Sequence, residues 1–484
     1  MSAMKSDSPL AVPNARALGT WGVEPLRLWA HLSGAGKWAI GAIGALLLAI
    51  ALPCYGAERP PAAHDPAPPA SEIPAHLSLA DALRIFRERG FDLLLADAAV
   101  AGAEGDLTIA KAFPNPVVAG ATGTTFGGYD PGKCEVSGCS RQPWNASVTD
   151  QGLLVDLVVG KRRLKADAAL AALRAARLSR ADADRTLTSL LKQQYVQTAL
   201  AGAVLGFARE AAQSSARTAA LVALRFRAGD VSEADTARAD TEQLTAQQAV
   251  DAAQQALVSA KQSLAFLLGA RGAAVAFEVD PQLPSGGPPA SLAGATVDAL
   301  LAEAREKRPD VAAARLSVES AEVSVALAKR QRFPDVALIA GYAQEGRGQQ
   351  AIQPPTATVG IAAALPLLYR NDGEIAKAEA SLHAQQLART KLDAQVARDV
   401  TNAFAAFESA SARSQRMESQ LLERARRARD LVDYQFKKGA ASLLELLDAQ
   451  RTFVATNAEY YQNMSDYWDA IYELEEAVGV ELGA

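Results

Sequence analysis

The chain repeats itself, and the repeat bounds the folds open to it. Leu77-Ser-Leu-Ala-Asp-Ala-Leu83 opens one half and Ala295-Thr-Val-Asp-Ala-Leu-Leu301 opens the other. An offset of 218 pairs Asp92 with Asp310, Ala103-Glu104 with Ala321-Glu322, and Lys111 with Lys329. Phe113-Pro114-Asn115 meets Phe333-Pro334-Asp335 after a slip of two residues, and an offset of 210 aligns Phe226-Arg-Ala-Gly229 with Phe436-Lys-Lys-Gly439, Ser232 with Ser442, and Gly269 with Gly479. Pro281 to Pro289 (PQLPSGGPP) reads as a linker, so a tandem duplication is expected, with units at 76–280 and 290–484.

Proline placement exposes the plan inside each unit, because an internal proline removes a helix hydrogen bond and clashes with the preceding turn. None occurs from Trp144 to Asp280 or from Leu367 to Ala484, stretches rich in Ala, Leu, Gln, Glu, Lys and Arg. Ala246, Ala249, Val250, Ala253, Ala256, Leu257, Ala260 and Leu264 recur at three- and four-residue steps, a small-residue stripe that lets helices approach closely. One glycine interrupts each stretch at the same place, Gly229 and Gly439, so helical hairpins are expected at about 160–270 and 373–479. A continuous helix from Gly160 to Gly229 extends on the order of 100 Å, as does one from Gly373 to Gly439, longer than a compact core needs. A tube or a scaffold uses such helices.

Strand character is confined to two hairpins, about 115–157 and 335–364. Val336, Leu338, Ala340 and Tyr342 would face one way, and Ala337, Ile339, Gly341 and Ala343 the other. Strands of roughly ten residues suit a tilted bilayer crossing, and equally a soluble hairpin packed on helices. Both hairpins fall at the same end of their long helices, which favours the membrane. Four strands cannot close a pore, since the smallest common membrane barrels have eight, so the membrane reading requires an oligomer, and three chains supply twelve.

Composition removes other classes. Lys plus Arg at 49 against Asp plus Glu at 54, a net charge of −5, leaves no basic half for nucleic acid. Four histidines and three cysteines give no metal cluster and no Cys/His catalytic pair; no enzyme, no resident metal and no cofactor are expected. Trp38 to Leu52 carries no charge and follows Lys5, Arg16, Arg27 and Lys37, the layout of a secretory leader over 1–57. Its fifteen residues rise only about 22 Å, short of the hydrocarbon core. Cys54 is a candidate lipid acceptor, with ordinary cleavage near Gly56 or Ala57 as the alternative. Residues 58–75 are a Pro/Ala-rich tether. Cys134 and Cys139, in the first hairpin's loop, are expected to form a small disulfide in an oxidising compartment rather than a metal site.

Together these features resemble the TolC-type outer-membrane efflux proteins, from about Leu77 to Gly479. The local matches are Gly160-Lys-Arg-Arg163 after the second strand, Leu365-Pro-Leu367 with Asn371-Asp-Gly-Glu-Ile375 after the fourth, and Arg227-Ala-Gly-Asp-Val-Ser232 at the first tip. The Lys/Arg run and the Asn371 run look most like the CzcC-like, heavy-metal cation branch; taken alone, the basic run reads as a solvated junction. The resemblance implies a mainly α fold with a membrane β-barrel portion: a homotrimer with a twelve-stranded barrel in outer-membrane lipid and an α-helical barrel in the periplasm. It implies a passive duct joined through a periplasmic adaptor, the membrane fusion protein, to an inner-membrane resistance-nodulation-division transporter. Export of drugs, aromatic compounds or type I secreted proteins is the alternative cargo. A periplasmic adaptor or a soluble coiled-coil scaffold is the alternative of another class.

By the same resemblance, Phe226, Arg227, Gly229, Val231 and Ser232, with Phe436, Lys437, Gly439, Ala441 and Ser442, are the expected adaptor-docking tips. Ala228-Gly-Asp230 against Lys438-Gly-Ala440 leaves the equality of the two docking sites open. Asp235, Glu445 and Asp448, just inside the tips, are candidates for a periplasmic gate, since carboxylate rings concentrate cations. Each reads singly as an exposed helix charge.

Overall fold

The computed structural model describes residues 73–122, 144–150, 159–270, 276–280, 289–292, 294–344 and 355–482. The leader, the tether to residue 72, Cys54, Cys134, Cys139 and most of the 281–289 linker lie outside the described residues. The chain divides into units at 1–68 and 69–484, and every described residue belongs to the second.

Each half runs through two short helices, a strand hairpin and a long helical hairpin, and the first adds two short strands that pair with each other. The first has β1 (His76–Leu77), α1 (Leu79–Arg89), α2 (Phe91–Lys111), β2 (Val117–Thr122), β3 (Trp144–Thr149), α3 (Lys161–Arg227), α4 (Glu233–Leu267) and β4 (Glu278–Val279). The second has α5 (Val297–Lys307), α6 (Pro309–Arg330), β5 (Val336–Gln344), β6 (Thr356–Ala363), α7 (Asp372–Arg416), α8 (Leu422–Lys437) and α9 (Leu443–Val478). Local chemistry sets the boundaries. Ser78 and Thr296 cap the opening helices, accepting from the Asp81 and Ala299 amides, and Pro309 sits in the first turn of α6, where its missing N–H costs nothing.

The second long helix departs from expectation. α3 runs unbroken for 67 residues, about 100 Å, whereas its counterpart is interrupted by a π-helical turn at Met417–Leu421 between α7 and α8. Met417, 1% exposed, anchors that turn. An extra residue per turn re-aims the side chains beyond it, which no composition count reveals.

Side by side, α3 packs along α4, α2 and α6. Of the small-residue stripe, Ala246, Val250, Ala253, Leu257, Ala260 and Leu264 are buried or half-buried at alternating four- and three-residue steps, the coiled-coil seam, while Ala249 and Ala256 are exposed. One core gathers α1, α2, α4 and Phe277; another gathers α5, α7 and α9 around Trp468, Ile471 and Phe407. α3 belongs to both, giving Leu191 and Tyr195 to the first and Val196 and Leu200 to the second. Beside that junction the buried Lys192 Nζ sits 2.8 Å from Glu475 Oε2, and Glu475 Oε1 accepts from the Leu482 N–H at 3.0 Å, so the end of α9 is locked to α3.

The two strand hairpins form one antiparallel sheet in the order β2-β3-β5-β6. β3 of the first half pairs with β5 of the second, Trp144 opposite Gln344 and Thr149 opposite Ile339. Neither β2 nor β6 has a second strand neighbour among the described residues.

Candidate functional site

Register sorts the sheet into two unlike faces, because residues directly opposite across an antiparallel pair share a side. One face carries Val118, Trp144, Val148, Leu338, Tyr342, Val359 and Ile361. Trp144 and Tyr342 meet at 5.1 Å between ring centroids, and the Trp144 indole N–H donates to Gln344 Oε1 at 3.2 Å. The other face carries Asn145, Ser147, Thr149, Thr356 and Thr358 with Gly341 and Gly360, alongside Val117 and Ile339 near the helices. All of β2 and β6 is exposed in the single chain. The sheet thus carries mostly apolar side chains on one side, Thr122 and Gln344 apart, and a row of hydroxyls on the other, with two edges unpaired among the described residues.

At the opposite end of the long helices lie the hairpin tips. Gly229 has φ +84° and Gly439 φ +76°, the left-handed region that ends a helix and that a side chain resists. Three residues on, Ser232 and Ser442 begin the return helices with complete capping boxes. Asp235 Oδ2 accepts from the Ser232 hydroxyl at 2.7 Å and from its N–H at 3.3 Å; Glu445 Oε2 accepts from the Ser442 N–H at 2.7 Å and its hydroxyl at 2.9 Å. These bonds hold both carboxyls below their ordinary values, for Asp235 chiefly through the Ser232 hydroxyl and for Glu445 chiefly through the Ser442 backbone. Two of the three candidate gate carboxylates, Asp235 and Glu445, are therefore also helix caps, a role missed in the sequence although Ser-x-x-Asp and Ser-x-x-Glu are its signal. Asp448, exposed, follows one turn along α9.

The tips differ in packing. Phe226 is 43% exposed, but Phe436 is 2% exposed, buried with Ala219, Val222, Ala239, Leu443, Leu446 and Leu447. The Arg225 guanidinium lies 4.6 Å from the Phe436 ring centroid and donates to the Phe436 carbonyl at 3.1 Å. Phe436 is thus a correction to the expected docking set: its ring fills the space between the two hairpins and offers no surface. Arg227, Lys437 and Ser442 are exposed, while Val231 and Ala441 are half-buried beside the same core.

Farther from the tips, Arg451 on α9 grips Glu242 on α4, Nε at 2.8 Å and the terminal nitrogen at 2.5 Å from Oε2. Gln450 donates to the Thr218 hydroxyl at 3.2 Å. Neither cross-hairpin contact was readable in sequence, since the partners lie 209 and 232 residues apart.

The basic junction run is corrected in part. Lys161 is only 7% exposed, and its Nζ lies 2.7 Å from both Asp335 Oδ1 and the Phe333 carbonyl, bolting the start of α3 to the other half. Arg162 stacks over Phe113, 3.7 Å from the ring centroid. Only Arg163 is solvated as the run by itself suggested. Among the described residues no group of three or more His, Cys, Asp or Glu could hold a metal ion, and no helix is long and apolar enough to cross a membrane.

Two long helical hairpins joined to one two-faced, open-edged sheet are the architecture of an efflux channel family. Over residues 83–270 and 300–480 the chain matches the outer membrane efflux protein family, and it belongs to that family. Its place is the outer membrane, and the family is made up of channels rather than enzymes. It is 23% identical over 409 residues to the cobalt-zinc-cadmium resistance protein CzcC of Cupriavidus metallidurans, covering 84% of this chain and 91% of that one. To the pyoverdine export outer membrane protein OpmQ of Pseudomonas aeruginosa it is 27% identical over 304 residues, 61% of this chain and 62% of the other. The fold matches the crystal structure of the CmeC outer membrane channel of Campylobacter jejuni with a TM-score of 0.70 at 15% identity, covering 83% of this chain and 86% of that one.

Proposed function

We propose that the protein is one third of an outer-membrane exit duct. Three copies join β6 of one chain to β2 of the next, closing twelve strands into a barrel whose apolar face meets lipid and whose hydroxyl face lines water. The observation that carries this reading is the four-stranded sheet with two unpaired edges and register-sorted faces. The long hairpins continue the duct through the periplasm. The tips, with Phe226, Arg227, Gly229, Val231 and Ser232 on one and Lys437, Gly439, Ala441 and Ser442 on the other, dock a periplasmic adaptor that links the duct to a resistance-nodulation-division transporter. Heavy-metal cations are the proposed cargo, on the likeness to CzcC over most of both chains.

The duct is passive. Its gate is the narrow end where Asp235, Glu445 and Asp448 repeat around the threefold axis, since rings of carboxylates favour cations over anions, and capping holds Asp235 and Glu445 ionised. Opening parts the second hairpin from the first, so the Arg451 to Glu242 pair opposes it. Planar-bilayer conductance of the purified protein tests the reading: a heat-dissociable trimer with cation-selective conductance, raised in Arg451→Gln, is expected. A water-soluble monomer that never conducts overturns it. Restoration of cobalt, zinc and cadmium tolerance in a strain lacking its own duct tests the cargo. The likeness to OpmQ makes siderophore export the second cargo to assay.

A further inference from the structure

The described connections between the helices and the four-stranded sheet lie at one end of it: 112–116, the start of α3 at 159–160, 331–335 and 364–371. Every one is flanked by cationic side chains, Lys111 at the first, Arg162 and Arg163 at the second, Arg330 and Arg332 at the third, and Arg370 at the fourth. Large apolar side chains stand exposed among them: Phe113, Phe333, Leu365, Leu367, Tyr369, and Leu368 at 103%.

The connections form a continuous belt. Arg162 stacks on Phe113, and Lys161 reaches Phe333 and Asp335 across the halves. Arg332 pairs with Asp372 at 2.6 Å, and Asn371 Nδ2 donates to the Gln331 carbonyl at 2.9 Å. Among the described acidic residues of the belt, Asp335 pairs with Lys161, Asp372 pairs with Arg332, and Glu374 accepts from the Tyr369 hydroxyl at 2.6 Å. Lys111, Arg330 and Arg370 have no ion-pair partner among the described residues, and all three are exposed.

We infer that this belt is a binding surface for anionic phospholipid at the leaflet facing the helices, the Leu and aromatic side chains entering the acyl boundary while the unpaired cations take the phosphates. The inference rests on the outer-membrane reading. Two features point to lipid rather than to a protein partner. The belt lies at the end of the sheet that joins the helices, and it sets exposed apolar side chains beside exposed cations that have no ion-pair partner among the described residues, the layout of a membrane interface. Each cation near a charged surface adds about a five-fold preference, so three favour anionic over zwitterionic lipid by on the order of a hundredfold if fully additive, and by at least about tenfold if two act.

The test uses the full chain purified in detergent, with native mass spectrometry of retained phosphatidylglycerol against phosphatidylcholine, and insertion into vesicles of each. Wild type is expected to insert into both and to retain phosphatidylglycerol at least about tenfold better, less so as salt rises. In K111Q/R330Q/R370Q the preference should fall toward unity, and in R330K/R370K it should persist. Equal retention of the two lipids by an inserted wild type, a preference indifferent to salt, or a preference unchanged in the triple glutamine variant overturns the inference and leaves the duct intact. A wild type that enters neither vesicle overturns the outer-membrane reading itself.

Discussion

The two hairpin tips are close copies in sequence and unlike in packing. Both end their first helix at a left-handed glycine, and both start their second with a serine capping box. Yet Phe226 faces outward while Phe436 is the largest side chain of the buried tip cluster, and only the second hairpin is interrupted by a π-turn. Local devices recur in both hairpins because they depend on a few adjacent residues; the aromatics at matching positions take different roles because packing one hairpin on the other leaves a single interior to fill. The first tip thereby presents its aromatic to the surface, and the second spends its own on the interior.

The sharpest way to break this comparison is truncation of the two aromatics. Phe436→Ala empties the tip core and should cost about 3–5 kcal/mol of local stability, read by denaturation and by protease cutting near Gly439. Phe226→Ala should stay within about 0.5 kcal/mol and weaken adaptor capture instead. Equal costs in the two variants would abolish the distinction.

A second asymmetry lies higher on the return helices. Asp469 on α9 corresponds to Ser259 on α4, and burial raises its carboxyl to about 6 from an ordinary 3.8. An acid whose folded value is raised binds its proton more tightly in the folded state, so its contribution to stability is greatest at low pH and declines as pH climbs from about 4 to about 6. Asp469→Asn should flatten that decline and gain on the order of 1–2 kcal/mol at neutral pH, the full shift being discounted because the group is only part-buried. Ser259→Asn should leave the pH profile unchanged, and a matching response would remove the asymmetry.

The glycines measure what the tips share. Nothing lies within 4 Å of a Cβ added at Gly229 or Gly439, so alanine there meets backbone strain alone, roughly 1–2 kcal/mol in each tip by thermal melts. The caps come next, Ser232→Ala and Ser442→Ala each costing about 1 kcal/mol. Because Asp235 and Glu445 are held below 3.8 and 4.5, the stability they add is complete above those values and fades as pH falls through the depressed ones. Smallest is the bridge between hairpins: a double-mutant cycle on Arg451 and Glu242 should give no more than about 1 kcal/mol, since Arg451 is 61% exposed. A larger coupling would make the bridge a structural clamp on the gate.

Much of this architecture was legible in the sequence. The repeat offsets, the absence of proline and the paired glycines marked the duplicated hairpins and their turns, and the strand segments stood where the sheet has them, with shorter described strands. The coupling of the two hairpins into one sheet could not be read, since β3 and β5 are brought together across roughly two hundred residues, with Trp144 against Gln344. Nor could the burial of Lys161, which in a Lys-Arg-Arg run is indistinguishable from its solvated neighbour Arg163.

What the sequence determined by itself is everything enforced within a few residues: helix length from composition and missing proline, turns from glycine, caps from serine followed three places on by an acid, and family membership from the order of these signals. Tertiary structure alone decided which of two equivalent phenylalanines is buried, which lysine is bolted across the halves, and which strand faces join into one apolar surface. The physical reason is that capping and backbone preference act between near neighbours along the chain, whereas burial and register depend on what arrives from elsewhere in the fold.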